Sequence, residues 1–231
     1  MFLFRKFSGN ILFVGVDKKE WFIVKVYDLS EFNPKNRLKK LADRDAEGFI
    51  LKLGETVFQE PTLDENFLYY IEEMKRNGLP LGIYYVSHAQ DMNMFHEEAN
   101  FINDMLYQHI TSNGLNLELG IWWDMEVPAV KREGVCDQLL DTIGMMQSWY
   151  AEPLKNRIGI YSGYSYFYDY MDLDSLLYYQ IPIWVAQYEY PENSLKEEEP
   201  ELNHVAWQYT TNDETQDEND FYGFKEEREE S

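Results

Sequence analysis

Seven short apolar runs constrain this chain more than any other feature of it, because each is too brief for a helix. They are Trp21–Tyr27 before Asp28, Phe49–Leu53 before Gly54 and Glu55, and Leu81–Val86 before Ser87 and His88. Leu119–Trp123 before Asp124, Ile158–Tyr161 before Ser162, Ile181–Ala186 before Gln187, and Val205–Trp207 before Gln208 complete the set. Their richness in Ile, Val, Tyr and Trp predicts buried strands. Lys25, Lys52 and Gln208 are polar intrusions, expected to point into a site rather than into a dry core. Between the runs lie segments of helical spacing: Pro34–Asp45, Asp64–Asn77, Phe95–Ile110, and Pro128–Trp149 with its proline near the first turn. Asn77-Gly78-Leu79-Pro80 supplies a helix stop. Strands alternating with helices predict a parallel sheet with helices packed outside. Seven or so strands in about 200 residues favour an α/β barrel lacking some helices over an open sheet.

Composition supports one sizeable domain and excludes several classes. Hydrophobic residues make up 45% of the 231 and aromatics 16%, enough for a single large core and too many for a disordered chain. The formal charge of −22 argues against a nucleic-acid partner, which requires clustered Lys and Arg. Between Glu189 and Ser231 there are 15 acidic and 3 basic residues, read as a solvated loop and tail. Tyr190–Leu202, with two prolines and a Glu triplet, is expected to be an exposed loop. One cysteine, Cys136, allows no internal disulfide and no cysteine-based zinc site. Apolar runs such as Ile11–Val16 fall far short of a membrane span, and that run, followed by Asp17 and two lysines, is not read as a signal peptide. Residues 1–20 are expected to form an extension or a hairpin, 21–224 the barrel, and 225–231 an acidic tail. No glycine-rich phosphate loop follows any strand.

The chemistry-bearing pattern is acidic. In a parallel barrel, reactive groups gather where strands end at their C-terminal side, and Asp28, Asp124 and Glu126 are expected there. In Ile121-Trp122-Trp123-Asp124-Met125-Glu126, strand geometry would send Asp124 and Glu126 to the same face. Two carboxyls beside indoles raise each other's proton affinity, so one can remain a neutral acid. Glycoside hydrolysis needs such a donor, with negative charge opposite an oxocarbenium-like transition state. A metal site built from Asp28, Asp124, Glu126 and His88 is the competing reading, although no metal-ligand spacing supports it. A solvated D-x-E at a loop start is the bland one.

At these residues the chain resembles the glycoside hydrolase family 25 muramidases, the Chalaropsis-type lysozymes. The similarity runs from Tyr27 to about Phe224. Tyr27-Asp28-Leu29-Ser30 resembles the family's opening G-[IV]-D-[VI]-S, with Tyr27 in place of the glycine. Asp17 in Val14-Gly15-Val16-Asp17 is a rival for that motif, but Ser30, Phe32 and Asn33 follow Asp28. Phe49–Glu55, Thr62–Phe67, Gly82–Ala89 and Glu97–Phe101 resemble successive family segments, and Trp123-Asp124-Met125-Glu126 its D-x-E signature. Pro182–Tyr188, Trp207–Thr210 and Asp217-Glu218-Asn219-Asp220-Phe221 resemble the late strands and the closing D-[LIV]-N-x-F, with Glu218 at an aliphatic position.

The resemblance implies a single irregular TIM-like barrel of about five βα units plus three further strands. It implies a cofactor-free lysozyme that cleaves the β-1,4 bond between N-acetylmuramic acid and N-acetylglucosamine in bacterial peptidoglycan. By position, Glu126 matches the catalytic acid, and Asp28, Asp124 and Asp217 match the other acidic positions of the groove. Tyr84, Lys52, Tyr161, Trp184, Gln187 and Trp207 are the expected groove-lining residues. Such an enzyme would act on the cell wall outside the cytoplasm, as an autolysin or as a phage-released lysin, with no nucleic-acid partner and no membrane insertion. A carbohydrate-binding barrel without turnover, and less favourably a metal-dependent hydrolase, are the alternatives.

Overall fold

The computed structural model describes residues 23–212 and 216–224. The extension or hairpin expected over residues 1–20 and the acidic tail over 225–231 lie outside the described residues. So does the rival Asp17.

The apolar runs become strands of one closed barrel. In chain order these are β1 (Val24–Leu29), β2 (Gly48–Val57), β3 (Glu60–Leu63), β4 (Leu81–Val86), β5 (Ile121–Asp124), β6 (Ile158–Gly163), β7 (Ile183–Ala186), β8 (His204–Asn212) and β9 (Gln216–Phe221). The ring runs β1-β9-β8-β7-β6-β5-β4-β2 and closes by pairing β2 with β1, while β3 is an outrigger paired, among the described residues, only with β2. Seven of the eight ring strands are parallel, and β9 enters antiparallel to both β8 and β1. The helices are α1 (Arg37–Ala42), α2 (Phe67–Asn77), α3 (Met92–Met105), α4 (Val135–Gln147), α5 (Tyr164–Tyr170), α6 (Leu173–Tyr178) and α7 (Ser194–Glu198). Five strand–helix units, on β1, β2, β4, β5 and β6, are thus followed by three further strands, with only the five-residue α7 between β7 and β8.

Strand alternation divides the apolar residues into two cores. Tyr27, Phe49, Leu51, Ile83, Tyr85, Ile121, Trp123, Ile160 and Val185 face outward and join the buried faces of the helices. Val26, Ile50, Trp122, Trp184, Ala206 and Phe221 face inward and plug the barrel, with Leu119 and Phe224 below. The plug is mostly indole. Trp122 packs edge-on to Trp184 at 5.7 Å and stacks on Phe224 at 6.1 Å. Room for it comes from Gly159, where a Cβ would come within 2.6 Å of the Trp122 ring and 2.5 Å of the Pro182 carbonyl. Gly54 serves the outrigger in the same way, since a Cβ there would meet the Thr62 carbonyl at 2.0 Å.

Three sequence expectations change. The helix expected over Pro128–Trp149 is split: a short 3-10 turn at Pro128–Val130 precedes Gly134, whose φ of 73° breaks the run before α4. Pro128 therefore opens the turn and not the long helix. The expected loop Tyr190–Leu202 contains α7, capped by the Asn193 side chain accepting from the Lys196 N–H at 3.1 Å and anchored by buried Leu195. Lys25 does not enter a site. It faces outward and pairs with Asp45 and Glu218, each at 3.1 Å.

Candidate active site

The C-terminal ends of the parallel strands carry a layer of inward-facing polar residues immediately above the indole plug. Asp28, Lys52, Asp124 and Gln208 each continue the inward register of an apolar residue two positions earlier, and Tyr84 and Tyr161 that of Gly82 and Gly159. Antiparallel β9 delivers Asn219 and Asp217 to the same interior, opposite Val26 and Asp28.

β5 ends at Asp124, so Glu126 reaches the mouth by a short extended continuation instead of by strand geometry. Neighbours on both sides hold that continuation. The Ser87 N–H donates to the Asp124 carbonyl at 3.0 Å, and the Met125 N–H donates to Tyr161 O at 2.9 Å. The Ser162 hydroxyl completes the clamp on Met125 O at 2.8 Å. Ser87 is itself held, since its hydroxyl donates at 2.6 Å to Glu98, a buried carboxyl that also accepts from Thr56 and the His88 N–H. Asp124 is buried, with Oδ1 lacking a hydrogen-bond partner, whereas Glu126 is open to solvent. Trp122 lies beneath the pair, but Trp123 turns outward against Phe95 at 5.7 Å, so only one of the two indoles belongs to the groove.

Burial raises the proton affinity of all four acids, and repulsion by like charges adds to it at Asp28, Asp124 and Glu126. Asp124 is held well above the ordinary carboxylate range by burial first and by Glu126 second, with Lys52 opposing. Glu126, an exposed residue whose carboxyl is partly enclosed by the mouth, is raised by that partial desolvation, opposed by Lys131 and reinforced by Asp217. Asp28 is raised by burial and by Asp217. Asp217 is raised by its own burial, tempered by a hydrogen bond with Asp28. The protons of such a set belong to the set and not to single residues.

The groove-lining expectations divide. Tyr84 and Tyr161 line the interior around the acids; both feel the charge of Asp28 and Asp124. Lys52 is buried between Glu31 at 2.8 Å and Glu55 at 3.1 Å. Trp184 faces inward beside its register partner Tyr161, is 1% exposed, and forms part of the plug. Trp207 lies on the other face. It precedes inward-facing Gln208, so its odd register turns it outward, where its indole donates to Gln187 O at 3.1 Å. Gln187 is occupied in fixing the loop before α7, donating to the Ser194 hydroxyl at 3.0 Å and accepting from its N–H at 2.9 Å.

Two functional-layer residues were absent from the expected set. Gln208 and Asn219 both donate to Asp28 Oδ2, at 3.0 and 2.9 Å. Gln208 was marked only as a polar intrusion, and Asn219 sits two residues from Asp217, on the same strand face. His88 does not join the acids to form a cation site; its Nε2 lies 3.5 Å from Glu55. Among the described residues, no group of three His, Cys, Asp or Glu side chains is arranged to hold a metal ion.

The fold is shared with several wall-lytic proteins. The modular autolysin LytC from Streptococcus pneumoniae superposes with a TM-score of 0.67 at 23% identity, covering 87% of this chain and 47% of the autolysin. This chain thus spans about half the length of that relative, which has also been solved with a synthetic peptidoglycan ligand. The Clostridium perfringens spore cortex lytic enzyme SleM gives 0.68 at 20% identity, over 89% of this chain and 69% of SleM. The catalytic domain of endolysin ply40, from a bacteriophage of Listeria monocytogenes, gives 0.66 at 18% identity, over 91% and 98%. No curated protein matches this chain in sequence. The sequence profile of glycosyl hydrolases family 25 matches residues 27–218, the barrel from the opening strand to the last. The chain belongs to glycosyl hydrolase family 25.

Proposed function

We propose that the protein is a peptidoglycan muramidase, cleaving the β-1,4 bond between N-acetylmuramic acid and N-acetylglucosamine. The observation that carries this reading is the convergence of Asp28, Asp124, Glu126 and Asp217 at one barrel mouth, each with raised proton affinity. Glycosidic oxygen is a poor leaving group and needs a proton as the bond breaks. Glu126 is the acid by access, because it alone of the coupled pair faces solvent while its carboxyl still holds a proton above the usual glutamate range. Asp124 sits one layer deeper and is buried, where its charge and that of Glu126 oppose each other. Tyr84 and Tyr161 present aromatic surface to the apolar faces of the sugar rings.

The wall as substrate, and action outside the cytoplasm, follow from the same reading and from the wall-lytic relatives. Among the described residues no helix is long and apolar enough to cross a membrane.

The test is turbidity loss of purified bacterial walls together with release of reducing ends. Wild type clears the walls and releases N-acetylmuramic acid reducing ends; Glu126→Gln reduces this by about 10²–10⁴-fold, the usual contribution of a general acid. Activity is indifferent to EDTA. Tight wall binding without released reducing ends would replace the enzyme with a binding barrel, and strong inhibition by EDTA would restore the metal reading.

A further inference from the structure

We propose that Gln208 and Asn219 are positioning residues that hold the Asp28 carboxyl in one orientation, with Oδ2 engaged by two amide donors. The inference rests on the hydrolase reading for its kinetic consequence, but its geometry stands apart from that reading.

Gln208 Nε2 and Asn219 Nδ2 reach the same oxygen of Asp28, at 3.0 and 2.9 Å. An amide can rotate and present its oxygen instead, which would set acceptor against acceptor. Both amides are locked against that. The Trp184 indole, which can only donate, gives its N–H to Asn219 Oδ1 at 2.8 Å. The second Asn219 Nδ2 hydrogen goes to Val26 O at 3.2 Å. Gln208 Oε1 accepts from the Tyr161 hydroxyl at 2.8 Å and from the Tyr188 hydroxyl. A plug tryptophan and two groove tyrosines therefore determine which way two amides face, and the amides determine which way Asp28 faces. Buried polar networks of this kind rigidify a site when every member is satisfied.

The groups acting on Asp28 from the surrounding strands are Asp217 on β9, Asp124 on β5, Tyr84 on β4, Tyr161 on β6 and Tyr188 after β7. Burial and the like charges of Asp217 and Asp124 disfavour its charged form, the tyrosines are neutral where an aspartate titrates, and the two amides, with a backbone hydrogen bond, favour it. Removing an amide must therefore strengthen the hold of Asp28 on its proton.

The experiment is a carbon-detected NMR titration of the full chain labelled at aspartate Cγ, run beside steady-state kinetics on a defined muropeptide glycan. Gln208→Leu and Asn219→Leu are each expected to move the Asp28 midpoint upward by about half a pH unit or more. Both positions are buried, so Tyr188→Phe, at the partly exposed rim, provides a variant that keeps the packing; a smaller upward movement is expected. In kinetics, Gln208→Leu lowers kcat about tenfold with KM within about twofold, and adds less than twofold in an Asp28→Asn background. An unmoved Asp28 midpoint in folded Gln208→Leu and Tyr188→Phe overturns the proposal, as does full additivity with Asp28→Asn. If wild type releases no reducing ends, the hydrolase reading fails alone, and the titration still decides whether the amides position Asp28.

Discussion

Asp217 stands directly across from Asp28 in the antiparallel pairing of β9 with β1, so the two carboxyls share one part of the barrel interior. Their like charges oppose double ionisation, and with burial this raises the hold of Asp28 on its proton. The strand that reverses direction is the one that creates this pairing. In a fully parallel barrel the eighth strand would offer its end residues to a helix loop, whereas β9 runs back and brings Asp217 and Asn219 down into the mouth.

Stability should fall as pH rises from mildly acidic to alkaline. The folded-state proton affinities of Asp28, Asp124, Glu126 and Asp217 are all raised, and burial pushes Glu98 up to about 7. A raised acid keeps its proton in the folded chain after the unfolded chain has lost it. Its stabilisation is full below the unfolded value near 4 and is lost as pH climbs through the folded value. Scanning calorimetry is expected to give a Tm several degrees higher at pH 5 than at pH 8, since about 1 kcal/mol moves Tm by ~2–4 °C at this size. Asp28→Asn should flatten that slope. Equal or rising Tm toward pH 8 would contradict the buried-acid description. Asp45, held down to about 2 largely by Arg44 and Lys25 against its own burial, acts with the opposite sign and only at lower pH.

The alkaline limb of kcat/KM reports loss of the Glu126 proton, and two neighbours bias it in opposite directions. Lys131 favours the carboxylate and Asp217 disfavours it. Lys131→Met should therefore move the limb to higher pH, and Asp217→Asn should move it lower, each by a few tenths of a pH unit. Lys131 is exposed and leaves the groove packing intact. Movement of both limbs in the same direction would show that another group carries the proton.

Lys52 is the buried cation of the site, bridging Glu31 and Glu55 and pulling down the proton affinity of Asp124. Lys52→Met leaves two carboxylates facing each other without their counterion, a change that costs about 3 kcal/mol when such a pair is broken. Urea denaturation is expected to show that loss, and Glu31→Gln with Glu55→Gln in the same chain should recover most of it. If the triple variant is no more stable than Lys52→Met, the loss comes from packing of the lysine stem.

How far the sequence could be read depended on which side of each strand a residue faced. Seven parallel strands and the acidic mouth were legible because apolar runs and their polar ends are local signals. Trp184 lies within one apolar run and Trp207 ends another, and only the register shows that the first faces the barrel interior and the second the helices. The split after Pro128 turned on Gly134 adopting a left-handed φ, which a helical apolar spacing conceals. Gln208 was visible as an oddity in an apolar strand, but its partners lie 180 residues earlier at Asp28 and on β9 at Asn219. No local pattern encodes that meeting; barrel closure does.

The charge of −22 bears on how the protein meets its substrate. Four acids of the total form the candidate site, and a larger share lies after Glu189, including Glu197, Glu198, Glu199 and Glu201 on and beside α7. Bacterial walls carry anionic polymers, so approach is opposed by like charge. At physiological ionic strength the screening length is about 8 Å, and it shortens to about 3 Å at 1 M. Lysis of whole walls is therefore expected to accelerate as salt rises from about 10 to 200 mM, while cleavage of a short neutralised muropeptide glycan changes little. The comparison isolates approach from chemistry, because both substrates use the same groove. A flat or falling salt profile with whole walls would show that the surplus acid on and around α7 plays no part in the encounter.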